Sequence, residues 1–294
     1  MDKVKLFWDP EGQTLNSLGS NSLLRTTDGD TAFVSTAVRM LSIDTPEVHY
    51  PGTTNPAKLD SKLKQLADWL QAGSTPAGAE LSAYLYPKLT SGTAGTLQQQ
   101  QGADAAAEFQ KLLTEKLTKP NGTQRDIYLR AGDQAFDQYG RLLAYMSPQY
   151  TSAELQGMTA KDRATFNLMM IDSGWAAAFP IYPSLPKYSD LVLLRDCARD
   201  AFEKKRGIWS SPLTLTGYEF RMCYRLWDVS NRLANGEKLD SQEKRGWLER
   251  YCVDMTTQEI YEPENYFRVP VYHRIFVWPA DINEAVSRLN LVPA

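Results

Sequence analysis

Apolar and polar positions alternate from residue 23 to residue 44, in a stretch rich in Val, Thr, Phe and Leu. That period of two predicts strands with a turn at Asp28-Gly29-Asp30. The pattern changes at residue 48. "HYPGTTNPAK" has turn composition, and in "LDSKLKQLADWLQAG" Leu59, Leu63, Leu66, Trp69 and Leu70 recur at helical spacing. "STPAGAE" and "SGTAGTLQQQQG" return to loop composition, so residues 48–102 read as an insertion carrying its own helix. From Asp104, which sits near the expected cap, Phe109, Leu112, Leu113 and Leu117 form one stripe of a helix over 104–118. Residues 126–146 read as a hairpin with its turn around Gly132-Asp133. Helices follow over 163–173 and 189–206, stopped by Gly174 and Gly207.

Beyond Pro212 the chain becomes dense in aromatic residues, from Tyr218 to Trp278. Residues 213–294 carry ten Lys and Arg against twelve Asp and Glu, a net of −2, which excludes a basic nucleic-acid arm. Aromatic residues without basic interleaving read as core or packing surface rather than as a base-stacking platform. The whole chain of 294 residues has a net charge of −3, so bulk electrostatics would not hold it on duplex DNA; an attraction to nucleic acid would need a local site. No apolar run approaches the roughly 18 residues of a membrane span, and "MDKVKLFWDPEGQ" lacks the apolar run of a secretion signal. Cys197, Cys223 and Cys252, odd in number and widely spaced, suit reduced buried thiols.

Chemistry concentrates in two places. Asp30, Asp44 and Glu47 could form a hard-cation site, since calcium and magnesium take carboxylate and carbonyl oxygens. Each is also explained by ordinary turn chemistry, for "DGD" and "DTPE" are common turn or helix starts. Arg39 is less ordinary, because an arginine inside the apolar run "AVRMLSI" is costly to bury without a partner. Extended strand at roughly 3.3 Å per residue would set it about 16 Å from Asp44, leaving room for a phosphate between arginine and cation. Arg141, following Tyr139-Gly140, begins a second apolar strand and could equally be a surface arginine. Together, two strand-start arginines and a group of acids point to a phosphodiester site. No G-x-x-x-x-G-K loop, G-x-S-x-G elbow or C-x-x-C occurs, and the two histidines, His49 and His273, give little material for histidine-based sites.

"DGDT" at 28–31, "VRMLSIDTPE" at 38–47, "DQYGRLLAY" at 137–145 and "KKRGIWSS" at 204–211, in that order, resemble the staphylococcal nuclease family. The resemblance spans roughly residues 20–211 and implies an α+β fold: a five-stranded OB-type barrel with three packed helices. To this the chain adds the inserted helical segment 48–102 and a C-terminal α/β appendage, 213–294, of unknown role. The resemblance implies a calcium-dependent nuclease acting on single-stranded DNA and RNA. It assigns Asp30, Asp44 and the Thr45 carbonyl to the metal, and Glu47 to the general base. Arg39 and Arg141 would hold phosphate, and Tyr139 and Tyr182 would line the nucleotide site. Gln138 stands where the family has a lysine, Pro180 competes with Tyr182 for the second tyrosine position, and the Asp30–Arg39 segment is shorter than in the family's best-known member. The rival expectation is a catalytically silent module that binds nucleic acid, or a protein through 213–294. Family members are often exported, although no signal is seen here.

Overall fold

The computed structural model describes residues 22–27 and 32–294. The expected turn at Asp28-Gly29-Asp30, and with it Asp30, lies outside the described residues. Strands β1 (Leu23–Thr26) and β2 (Ala32–Val34) pair antiparallel. Strands β3 (Val38–Met40) and β4 (Ser42–Asp44) are separated by Leu41 alone, yet they join different sheets. The corner falls at Ser42, whose φ of +61° is a left-handed conformation that residues with a side chain seldom adopt. Two contacts hold it: the Asn167 amide donates to the Leu41 carbonyl at 2.8 Å, and the Ser42 and Tyr145 hydroxyls meet at 2.7 Å.

The insertion forms α1 (Asp60–Gln71), α2 (Ala79–Leu89) and the start of α3 (Ala94–Leu117). Helix α1 lies where the leucine spacing places it. Helix α2 was not expected, and the first turns of α3 occupy sequence of loop composition, where the glycines have another purpose. A Cβ on Gly95 would lie 2.1 Å from the Pro56 carbonyl, and one on Gly102 would lie 2.9 Å from that of Glu47. Glycine therefore lets α3 pack directly on the chain beyond β4.

Strands β5 (Ile127–Phe136) and β6 (Leu142–Pro148) make the expected hairpin, but its turn is not at Gly132. The chain continues through an irregular register and turns at Asp137–Gly140. There the Asp137 carboxylate accepts the N–H groups of Tyr139 at 2.9 Å and Arg141 at 3.0 Å, while Gly140 supplies a φ of +75°. Then come α4 (Ser152–Leu155), α5 (Phe166–Asp172), β7 (Ala177–Phe179), β8 (Ile181–Tyr182) and α6 (Tyr188–Glu203). Helices α3, α5 and α6 with strands β4 and β7 enclose one core, which includes Ile43, Met170, Ile171, Ala178 and Leu194. This core seats Asp44 at the end of β4.

The fold is mixed α+β. Among the described residues no closed barrel forms: β3, β6 and β5 make a three-stranded sheet, while β4 pairs with β7 and β1 with β2. Five strands do assemble in the order β12-β10-β9-β11-β8, largely from the C-terminal region. Its elements are α7 (Gly217–Ala234), α8 (Ser241–Lys244), β9 (Tyr251–Asp254), β10 (Glu259–Tyr261), β11 (Arg274–Val277), α9 (Ile282–Leu289) and β12 (Val292–Pro293). Strand β11 pairs parallel with β8, and α7 shares the largest apolar core with α1 and α2. The aromatic density noted in the sequence is mostly this core, with Tyr218, Phe220, Trp247 and Tyr266 buried in it. The three cysteines are free and buried. No described helix is long and apolar enough to cross a membrane.

Candidate functional site

Because the chain turns at Ser42, Arg39 and Asp44 are not held apart by extended strand. Arg39 Nη2 lies 3.6 Å from Asp44 Oδ1 and donates to the Ile43 carbonyl at 3.4 Å. The expected gap of about 16 Å, with a phosphate in it, is thereby closed. Asp44 is 1% exposed. A carboxylate so buried needs compensation, and most of it comes from a helix the sequence reading left out of the site. Arg221 on α7 donates to Asp44 Oδ1 at 3.0 Å, and the Tyr218 N–H in the same helix donates to Asp44 Oδ2 at 2.6 Å. Arg221 also donates to the Glu47 carboxylate.

Helix α7 begins there for local reasons. Thr216 caps it and exchanges hydrogen bonds with Glu219 in a capping box. Its first residue, Gly217, has no side chain to fend off the loop. Tyr218 and Arg221 are three residues apart and therefore lie on one face, which is turned to Asp44. The positive end of the helix dipole adds to the guanidinium charge.

The opposite wall is α3. The Gln98 amide, turned so that its oxygen accepts the Glu47 N–H at 2.8 Å and its nitrogen donates to the Leu215 carbonyl at 3.1 Å, ties the acid loop to the approach of α7. Gln101 donates to the Ile208 carbonyl at 3.1 Å and to the Thr214 hydroxyl at 2.8 Å. Gln98, Gln101 and Arg221 are thus site-building residues missed by sequence reasoning. Gln98 and Gln101 lie three apart on one face, but they were hidden inside a glutamine run.

Burial raises the Glu47 pKa above its ordinary value, against the neighbouring Arg221 charge, which lowers it. Burial would lower that of Arg221, but Asp44 and Glu47 outweigh it and keep the guanidinium charged. At the hairpin, Arg141 Nε donates to Asp137 at 2.7 Å, and its guanidinium lies 5.3 Å from the Tyr139 ring centre. Burial of Asp137 would raise its pKa, yet the hydrogen bonds from Arg141 and Tyr139 bring it below its ordinary value. Tyr139 is 71% exposed. In the parallel pairing of β3 with β6, Arg39 stands opposite Leu143. Arg141 directly precedes β6, and extended backbone continued to it would bring it to the face of Leu143 and Arg39.

Tyr182 is elsewhere. It is 4% exposed, in strand β8 of the five-stranded sheet, where it packs with Val253, Ile275 and Val277. A ring so enclosed offers no face to a base, so the structure removes Tyr182 from the candidate nucleotide site.

A family model described as staphylococcal nuclease homologue matches residues 37–211, more than half of the chain. The chain belongs to the staphylococcal nuclease family. No curated protein matches it. The family generally uses calcium, and the described residues do not fit that ion. Both Asp44 oxygens are bonded to donors on α7, and Glu47 is bonded to Arg221. The Thr45 carbonyl lies so close to Gly217 that a Cβ there would come within 2.5 Å of its oxygen. Two carboxylates already face two guanidinium groups, and among the described residues no cluster of three metal-ligating side chains occurs.

Proposed function

We propose that the protein is a phosphodiesterase acting on single-stranded nucleic acid. Arg39 and Arg141 bind the phosphodiester and Glu47 accepts the proton of the attacking group. What supports this reading is the parallel pairing of β3 with β6, in which Arg39 stands opposite Leu143, two residues after Arg141, so that extended backbone continued to Arg141 would carry both arginines to one face. Their planar forks match paired phosphate oxygens. Charge accumulates on the phosphoryl oxygens as a fifth ligand approaches phosphorus, and fixed guanidinium groups stabilise it without reorganisation. Water, as nucleophile, forms one P–O bond while an ester P–O bond breaks. Glu47 takes the proton of the water, and the leaving oxygen is protonated by solvent water, to which Glu47 then returns its proton. A raised pKa brings Glu47 closer to the range in which a carboxylate is an effective base near neutrality. Glu47 can serve only when Arg221 has left it.

One observation favours a second reading, a silent module that binds without cleaving: Arg221 is seated between the two acids. Release of acid-soluble nucleotides from heat-denatured DNA and from RNA, with calcium and with a chelator, separates the two. On the phosphodiesterase reading, Glu47→Gln and Arg141→Ala each lower turnover at least about a hundredfold while remaining folded. Unchanged rates in those variants would remove the assigned roles, and no release by folded wild type or by Arg221→Met would leave the silent module.

A further inference from the structure

We infer that Arg221 is the resident counter-cation of the Asp44–Glu47 acid pair, and that Arg221 and calcium exclude one another. Helix α7 therefore holds the site shut until it is displaced. Three independent features of the packing converge on this. First, the guanidinium bridges the two carboxylates, with Nη2 on Asp44 and Nη1 on Glu47. An ion placed to reach both would have to stand where the guanidinium stands. Second, the remaining Asp44 oxygen is taken by the Tyr218 N–H, a donor fixed in the helix backbone that cannot rotate away without unwinding the first turn. Third, Gly217 covers the Thr45 carbonyl, so the backbone oxygen that would complete a cation site faces α7.

Charge leads to the same conclusion. Asp44 and Glu47 face Arg221 and Arg39, so the described group is neutral as it stands. Adding a divalent ion with Arg221 in place would leave two positive charges in a nearly closed site, whereas exchanging one for the other keeps the acids compensated. The latch is also built on a stiff support. The carboxylate of Glu219, the residue after Tyr218, is buried and accepts from Tyr84, Lys88, Arg274 and the Thr216 N–H. These contacts fix the start of α7 against α2 and β11. Displacing Arg221 alone needs only a side-chain rotation, but freeing Asp44 and Thr45 requires the first turn of α7 to withdraw.

The inference rests on reading residues 44–47 as the family's cation site, and its test has a readout other than cleavage. The full chain is compared with Arg221→Met by thermal unfolding over a calcium titration. Wild type is expected to show little shift at millimolar calcium, whereas Arg221→Met unfolds earlier and recovers with calcium. Half-saturation should come at a concentration at least about tenfold lower than in wild type. Adding Asp44→Asn to Arg221→Met should abolish that recovery. Equal calcium stabilisation of both proteins overturns the inference, and so does an Arg221→Met chain, folded or not, that calcium fails to stabilise. Amide exchange on wild type gives a second measurement. Calcium that binds while the Tyr218 N–H stays fully protected overturns the withdrawal of α7. The two proposals fail separately. An Arg221→Met protein that binds calcium yet cleaves neither DNA nor RNA overturns the phosphodiesterase and leaves the latch standing. A wild type stabilised by calcium as readily as Arg221→Met overturns the latch alone.

Discussion

Gly217 and Thr45 meet with no room for a methyl group between them: a Cβ on Gly217 would lie 2.5 Å from the Thr45 carbonyl oxygen and 2.7 Å from Asp44 Oδ2. This contact joins the end of β4 to the start of α7 across most of the matched domain. It makes the identity of one small residue decisive for whether the helix can dock.

Gly217→Ala is therefore expected to destabilise the protein by about 1–3 kcal/mol, because neither backbone can yield without breaking the Tyr218–Asp44 hydrogen bond. Helix propensity alone would act the other way, favouring alanine by up to about 1 kcal/mol. Urea unfolding decides between them. A neutral or stabilising substitution would show that α7 does not sit where it is described.

The two acids should differ in cost. Asp44→Asn leaves Arg221 and Arg39 without the charge they share in a closed environment, and about 3–5 kcal/mol of stability should be lost. Glu47 is partly exposed, and Gln at that position still offers an oxygen to Arg221, so Glu47→Gln should cost no more than about 1–2 kcal/mol. Denaturant titration of both variants checks the ranking. A Glu47 substitution costlier than the Asp44 one would mean that the charge of the site is organised differently.

Acid sensitivity should trace to Glu219. Burial would raise its pKa, but Lys88 and Arg274 outweigh burial, with help from the Tyr84 and Thr216 hydrogen bonds, and bring it from 4.5 to about 2. A folded pKa below the unfolded one means that its contribution is complete above about pH 4.5 and is lost as the pH falls toward 2. That contribution is on the order of 3 kcal/mol. The stability gap between wild type and Glu219→Gln should be widest near neutrality and should narrow from about pH 4.5 downward. A gap that stays constant with pH would remove Glu219 from the acid response.

Arg39, Asp44 and Glu47 stood out because they sit within one short stretch whose residue types are unusual for a strand. Their arrangement did not, since it depends on the corner at Ser42. A serine in left-handed conformation, fixed by Asn167 and Tyr145, leaves no local trace in the sequence. Arg221 was hidden differently. It lies 177 positions from Asp44 in an amphipathic aromatic helix, where an arginine reads as ordinary surface charge. Gly95 and Gly102 carried a false signal. Glycine lowers helix propensity, but in α3 it is required by close approach to Pro56 and Glu47, and tertiary contact overrides propensity there. The same override moved the hairpin turn from Gly132 to Asp137–Gly140, where the Asp137 carboxylate closes the turn.

Tyr139 and Arg141 should contribute to single-strand binding in ways that salt can separate. Tyr139 is exposed and lies beside the Arg141 guanidinium, while Asp137 fixes the direction of that guanidinium. An exposed ring contributes by stacking, so Tyr139→Ala should weaken binding of a short oligothymidylate by about 1–3 kcal/mol without changing its salt dependence. On the proposed function, Arg141 would contribute through phosphate charge. Arg141→Ala should weaken binding and also reduce the slope of log K against log salt by about 0.7, the value for one phosphate contact on a single strand. Asp137→Asn should give an intermediate result, since Arg141 keeps its charge but loses the partner that aims it. Fluorescence anisotropy at several salt concentrations measures all three. If Arg141→Ala lowers affinity with an unchanged slope, the arginine is not on a phosphate, and the shared face of β3 and β6 would have to be read as structural.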